Sequence, residues 1–137
     1  MKDWRSLAHV KWECKYHVVW VPKYRKKILF GKVRRRVGEI IRELCRQKEI
    51  ELIEGHAMSD HIHICISVPP KYSIANTVGF LKGKSAIKIH REFVDQRNMK
   101  KNFWARGYCV STVGLNEEQI KRYIRDQEKN EQLELDL

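Results

Sequence analysis

Two histidines stand one residue apart in the segment SDHIHICISVPP, residues 59–70. Alternate residues of a β-strand share a face, so His61 and His63 would project together while the isoleucines between and after them face the other side. Two neutral imidazoles can bind one divalent cation and leave most of its coordination sphere open to water or a phosphate oxygen. A pair of hydrogen-bonded surface histidines is the alternative. The neighbouring Asp60 fits a metal ligand, a residue that orients a ligand, or a turn.

A second group of candidate residues lies near the C-terminus, in the segment NEEQIKRYIRDQEKN. Ile120, Tyr123, Ile124 and Gln127 are spaced at i, i+3, i+4 and i+7, which places them on one face of a helix. One interpretation is a simple amphipathic face that packs against the protein. The other makes Tyr123 a nucleophile and gives Gln127, one turn later, a carbonyl oxygen that binds a metal. The helical pattern alone leaves both open.

The elements that must position these residues can be predicted from hydrophobic periodicity and turn residues. We predict strands at 10–21, 50–58, 60–68 and 107–113, helices at 31–48 and 73–93 (the second interrupted by Gly79 and Gly83), and a last helix opened by Asn116. The order β-α-β-β-α-β plus a helix predicts an α+β protein with the ferredoxin-like, RRM-like split βαβ fold. Its four-stranded antiparallel sheet carries both helices on one face, and the extra C-terminal helix carries Tyr123.

In that topology the first and third strands are the central pair of the sheet. The isoleucine side of the histidine strand would then pack under the helices, and the two histidines would project from an open face. The polar side of the first strand, with Lys15 and His17, should lie beside them.

The composition indicates one basic domain. The 137 residues include 28 Lys and Arg against 17 Asp and Glu, a net charge of +11, which favours a nucleic-acid partner. We expect a single domain over 1–137, with an acidic, frayed tail from about 132 to 137. No apolar run reaches the length of a membrane span and no secretory signal is visible, so we expect a cytoplasmic protein without membrane contact. The four cysteines form no CxxC pair, which argues against a zinc ribbon or knuckle and against a disulfide framework.

Several segments, matching in order over nearly the whole chain, resemble one known family. They are YHVVWVPKYRKK, DHIHICISVPPKYSI, FLKGKSA and FWARGYCVSTVG, followed by the tyrosine helix. Together they resemble the single-tyrosine HUH transposases of the smallest bacterial insertion sequences, which are relatives of the REP-associated tyrosine transposases.

The resemblance implies a role for each candidate residue. Tyr123 matches the catalytic tyrosine, and His61, His63 and Gln127 match the residues that bind Mg²⁺ or Mn²⁺. It implies cleavage and rejoining of single-stranded DNA at insertion-sequence ends through a 5′-phosphotyrosine, with recognition of subterminal hairpins. It also implies a homodimer with composite active sites, in which the tyrosine helix lies in cis or in trans. Gly114 could be a hinge for that helix or an ordinary turn glycine.

Basic side chains outside the catalytic set are candidates for holding DNA. We expect contacts to phosphates or to a hairpin from six of them: Arg25, Lys26, Lys27, Lys82, Lys84 and Arg106. Phe103 and Trp104 could stack on bases or pack in the core. Two alternatives to the insertion-sequence transposase stay open at this point. One is a non-catalytic, RRM-like module that binds single-stranded nucleic acid, and the other is a domesticated relative that acts on host repeats.

Overall fold

A computed structural model describes residues 5–7, 10–23, 29, 31–93 and 103–136 of the chain. Within them it contains nine elements: β1 (Arg5–Leu7), β2 (Val10–Trp12), β3 (Lys15–Trp20), α1 (Gly31–Gln47), β4 (Glu51–Met58), β5 (His61–Ser67), α2 (Ile74–Glu92), β6 (Cys109–Ser111) and α3 (Glu117–Asp136).

The main sheet has four antiparallel strands in the order β4-β5-β3-β6. The histidine strand β5 and the strand β3 are therefore central, and the predicted α+β, ferredoxin-like fold is confirmed. The prediction of one strand over 10–21 is wrong at residues 13 and 14. The chain leaves the strand conformation there because β2 pairs with β1 in a separate two-stranded sheet. The last strand is also shorter than the predicted 107–113.

The core lies between one face of the sheet and the helices α1 and α2. Alternate residues of the two central strands fill it from the sheet side, and α2 runs without interruption through Gly79 and Gly83. The largest fully buried side chains include Trp20, Ile40, Leu44, Ile66 and Leu81. Burial of each such side chain contributes about 1.5–3 kcal/mol. The isoleucine side of β5 packs in this layer. The opposite side of the strand, with His61 and His63, therefore faces away from the core.

Helices α1 and α2 are also joined by a bidentate ion pair. Arg36 donates from Nε to Glu92 Oε1 at 2.6 Å and from a terminal nitrogen to Oε2 at 2.9 Å. The hydrogen bond from Arg36 lowers the pKa of the Glu92 carboxyl. The pair is largely exposed, so it orients the two helices more than it stabilises the fold.

The helix that carries the candidate tyrosine begins with the predicted capping arrangement. Asn116 Oδ1 accepts a hydrogen bond from Gln119 N at 2.8 Å, and Gln119 Oε1 accepts one from Asn116 N at 2.8 Å. The helix then continues to Asp136, so residues 132–136 are helical where the sequence predicted a frayed tail. No helix in the described part of the chain has the length and apolar content needed to cross a membrane.

The capping pair supplies a stability prediction. Replacement of Asn116 by Ala removes the acceptor for the Gln119 amide, and we expect the free energy of unfolding to fall by about 1 kcal/mol. Urea denaturation followed by circular dichroism measures this change. Arg122→Ala, at an exposed position of the same helix, is the control and should stay within about 0.5 kcal/mol of the parent. An equal loss in both variants would contradict the capping role.

Candidate active site

Strand register assembles the candidate site on the side of the sheet away from α1 and α2, which we call the histidine face. Residues directly opposite each other in antiparallel strands share a face. His63 pairs with Val19 of β3 on one side and with His56 of β4 on the other. Cys65 pairs with His17, so the expectation that His17 lies beside the histidine pair is confirmed. Two histidines from neighbouring strands therefore flank His63.

The His63 imidazole is half-buried and lies among other rings. Its centroid is 5.9 Å from that of His17 and 6.4 Å from that of His56. Burial lowers the pKa of His63, and the charges that His17, His56 and His61 would carry lower it further. Both causes favour the neutral imidazole near neutral pH. A neutral ring has the lone pair that a metal ligand requires.

Asp60 orients the other histidine of the pair. Its Oδ1 is 2.9 Å from His61 Nδ1, and the His61 side chain is only 14% exposed. The Asp60 carboxylate accepts the Nδ1 hydrogen, which leaves the lone pair on Nε2. A carboxylate that holds the far nitrogen of a histidine in this way is the usual companion of a histidine that binds metal. Of the three roles open for Asp60, the structure favours orientation of His61.

The donor set fits a hard divalent cation only when a ligand of another type joins the histidines. Among the described residues, no group of three or more His, Cys, Asp or Glu side chains is arranged to hold a metal ion. His61 and His63 would thus supply only part of a metal site. An amide oxygen, the ligand type that Gln127 offers, suits Mg²⁺ or Mn²⁺.

Helix α3 packs on the histidine face. Backbone pairing continues beyond β3, because Ala105 N donates to Val21 O at 2.9 Å. The alternation of the strand puts Val21 on the same side as Val19 and His17. Val21 and Ala105 are buried against Ile124 of α3, with Ile120 and Tyr123 packed around them. The face that was predicted to be open is therefore covered in part by α3.

The amphipathic face of α3 is the one that the spacing predicts. Between 117 and 130, only Ile120, Tyr123, Ile124 and Gln127 are not exposed. A Cβ atom added to Gly107, just before β6, would lie 3.8 Å from Gln127 Nε2. The packing interpretation of this face is correct, and the same packing turns Tyr123 and Gln127 toward the histidine side of the sheet.

The segment that leads into α3 passes beside the histidines. Gly114 has φ +112°, a conformation that favours glycine, and a Cβ atom there would lie 4.0 Å from His17 Nε2. The turn requirement explains why glycine occupies this position. A hinge role for Gly114 stays a prediction.

Comparison with known proteins identifies the family. The model of the family described as "Transposase IS200 like" matches residues 10–127. This chain belongs to the IS200-like transposase family. The transposase for insertion sequence element IS200 of Salmonella typhimurium is 45% identical over 129 residues, which cover 93% of this chain and 85% of that protein. The ISDra2 transposase TnpA of Deinococcus radiodurans is 35% identical over 137 residues, with 96% of this chain and 94% of that protein covered.

Solved structures agree with this assignment. A Deinococcus radiodurans crystal structure described as that of a transposase superposes with a TM-score of 0.80 at 32% identity, covering 93% of this chain and 98% of the other. The REP-associated tyrosine transposase bound to a REP hairpin has a TM-score of 0.58 at 12% identity, covering 90% and 68%. This second likeness shows a shared fold.

The six residues predicted to contact DNA lie in three different environments in this transposase. Arg25, Lys26 and Lys27 lie outside the described residues. Lys84 and Arg106 are exposed. Lys82 is half-buried, and its Nζ donates to the backbone carbonyls of Ala105 and Gly107. Two aromatic residues were predicted either to stack on bases or to pack in the core. Phe103 is 4% exposed and Trp104 is 7% exposed, so both pack in the core.

His56 lies beside the histidine pair and was not predicted there, although the sequence contains the signal for it. Residues 59 and 60 form a two-residue turn between β4 and β5, which pairs Met58 with His61. Two residues further from the turn, His56 must then lie opposite His63. The length of the turn would have been enough to find it.

The ring cluster of the transposase predicts a titration behaviour. We expect the NMR midpoint of His63 to lie below the ordinary histidine value of about 6.5, because burial and the neighbouring histidines disfavour its charged form. His17→Gln should raise the His63 midpoint part of the way, since burial remains. His90→Gln on α2 is the control and should leave it unchanged. A midpoint at or above the ordinary value would contradict this account.

Proposed function

We propose that this transposase cleaves and rejoins single-stranded DNA at insertion-sequence ends through a covalent 5′-phosphotyrosine on Tyr123. The observation that carries the proposal is the packing of α3 on the histidine face through Ile124, Val21 and Ala105. This packing turns the side of α3 with Tyr123 and Gln127 toward the sheet surface that bears the histidine pair. The relatives named for insertion sequence element IS200 support insertion-sequence ends as the substrate.

The proposed reaction is a phosphoryl transfer to a phenol. The Tyr123 oxygen attacks the phosphorus, a bond from phosphorus to the tyrosine oxygen forms, and the bond to the 3′ oxygen breaks. The phenol loses its proton and the departing 3′ oxygen becomes a free hydroxyl. Attack of a 3′-OH on the phosphotyrosine reverses the step, so new ends can be joined without a separate energy source. A free tyrosine has a pKa of about 10, so the site must assist loss of the phenolic proton.

His61, His63 and Gln127 would hold a Mg²⁺ or Mn²⁺ ion beside the phosphate. When bound, the ion polarises the scissile phosphate and stabilises the charge that develops on the leaving oxygen. Neighbouring residues favour the neutral, correctly oriented imidazoles that metal binding requires. Asp60 directs the Nε2 lone pair of His61 away from the carboxylate, and burial keeps His63 neutral.

The basic surface would hold the DNA strand and its hairpin. The net charge of +11 supplies attraction to phosphates, and the exposed Lys84 and Arg106 are available for contacts. Arg25, Lys26 and Lys27 complete the proposed set. The fold shared with a REP-associated transposase that was solved with a hairpin supports recognition of subterminal hairpins.

A homodimer with composite sites is part of the proposal. Strand β4 is an edge of the sheet, eight residues long, and exposes Ile53 and Met58. An exposed edge of this length can pair with the same strand of a second copy. In this proposed dimer, α3 of one subunit would complete the site on its own sheet or on the sheet of the partner.

Covalent adduct formation tests the proposal directly. Incubate the protein with Mn²⁺ and labelled single strands that cover the DNA flanking its gene, and then run a denaturing gel. We expect a protease-sensitive adduct, and no adduct with Tyr123→Phe because the nucleophilic oxygen is missing. Tyr72→Phe, which removes a hydroxyl on the opposite side of the sheet, should behave as the parent. An adduct that persists in Tyr123→Phe would contradict the assignment.

The denaturing gel and a native gel together separate catalysis from binding. His61→Ala and His63→Ala should lose cleavage but still bind hairpin DNA in a native gel. A non-catalytic binding module would be favoured instead if the parent protein binds hairpin DNA equally well with and without EDTA and cleaves none of it. A mixture of Tyr123→Phe and His63→Ala subunits should recover cleavage if α3 completes the site of the partner.

Removal of the Asp60 carboxylate should weaken metal binding. In Asp60→Ala, His61 loses the group that fixes its tautomer and ring orientation. We expect the Mn²⁺ concentration for half-maximal cleavage to rise by roughly 10- to 100-fold. A Mn²⁺ titration of the cleavage rate measures it, with Glu43→Ala on the exposed surface of α1 as the control. An unchanged Mn²⁺ requirement would show that Asp60 is only a turn residue.

A further inference from the structure

A bulge interrupts the pairing between the segment after β3 and the segment before β6. Pro22 pairs with Trp104, and Val19 pairs with Cys109. Two residues, 20 and 21, therefore face four residues on the other side, and we call these four, 105–108, the bulge. Gly107 within it has φ +83°, in the region that favours glycine. Backbone carbonyls displaced from ladder pairing in this way need other hydrogen-bond donors.

Lys82 of α2 supplies these donors. Its Nζ donates to Ala105 O at 2.7 Å and to Gly107 O at 2.7 Å, so one ammonium group holds both halves of the bulge. One turn further along α2, Ser85 Oγ accepts a hydrogen bond from Trp104 Nε1 at 2.9 Å. Burial lowers the pKa of Lys82 to about 8. The side chain is thus directed into the protein, in contrast to the exposed Lys84.

Helix α3 packs against the bulge. Ala105 is buried against Ile124, with Tyr123 packed around the same cluster. Gly107 lies next to Gln127, since a Cβ atom on the glycine would stand 3.8 Å from Gln127 Nε2. Both residues whose carbonyls Lys82 holds therefore lie against α3.

We propose that Lys82 is a positioning residue for cleavage: by holding the carbonyls of Ala105 and Gly107, it sets where α3 presents Tyr123 and Gln127. This inference rests on the proposed function of Tyr123. In this role Lys82 acts on the protein, and the DNA phosphates are held by other basic residues. A displacement of the reacting group by about 1 Å can cost roughly 100-fold in rate, so a small shift of the bulge would suffice.

The test compares Lys82→Met with Lys82→Arg. Adduct formation is measured in single turnover at saturating single-stranded DNA, and the Kd for hairpin DNA is measured over a range of salt. We expect Lys82→Met to lower the single-turnover rate by roughly 10- to 100-fold, while the Kd and its salt dependence stay as in the parent. Lys82→Arg, which keeps a cation with several donors, should recover most of the rate. Lys88→Met on the same helix is the matched control and should match the parent.

A phosphate-binding role gives the opposite pattern. Lys82→Met would then weaken hairpin binding, with an unchanged rate at saturation. It would also reduce the slope of log K against log salt by about 0.7 for a contact to the single strand or about 0.9 for one to the duplex stem. That result would overturn the proposal, as would a Lys82→Met variant with parental rate and parental Kd.

Hydrogen exchange keeps this inference separate from the proposed function. In Lys82→Met, amides of 105–109 and of 120–127 should exchange faster while those of β5 stay protected, and Lys88→Met should change neither. This result can be obtained even if the parent forms no adduct, an outcome that would refute only the nucleophile assignment. Unchanged exchange at the bulge and α3 would overturn the positioning role. Equal loss of protection in β5 would also overturn it, because Lys82 would then support the fold as a whole.

Discussion

The antiparallel pairing of β5 with β3 is the interaction on which the site depends. Its register places His63 opposite Val19 and Cys65 opposite His17, while Ile62 and Ile64 lie on the core side. A slip of one residue would exchange the two faces and bury the histidines among apolar side chains. The apolar layer under α1 and α2 makes that exchange costly. The hydrophobic core therefore specifies the direction of the histidines.

Helix α3, which carries Tyr123, is attached by a second and smaller cluster. Val21, Ala105 and Ile124 form it on the face opposite the main core. Their contact fixes one side of α3, and the capping pair at Asn116 fixes where the helix begins. Because few of the described residues form this attachment, the position of Tyr123 depends strongly on the backbone that carries Ala105. The bulge and Lys82, which holds it, thus connect α2 to α3.

The basic residues and the histidines of the protein suit ligands of opposite charge. The excess of lysine and arginine favours association with a polyanion. Burial and the charges that the neighbouring histidines would carry lower the pKa of His63, which favours a neutral ring that can bind a cation. Lys82 belongs to neither group, since its ammonium is satisfied by two carbonyls inside the protein. A count of basic residues cannot distinguish such a lysine from one that faces DNA.

The sequence by itself determined the features that depend on local periodicity: the histidine side of β5, the buried face of α3, the capping pair and the order of elements that defines the fold. A two-residue or 3.6-residue repeat is encoded in neighbouring positions, so it can be read directly. Only the tertiary structure decided that strand pairing breaks after Trp12, that Trp104 is in the core, and that Lys82 holds the bulge beneath Tyr123. These features depend on pairing between segments distant in the chain, where the partner and register are set by the packing of the whole domain.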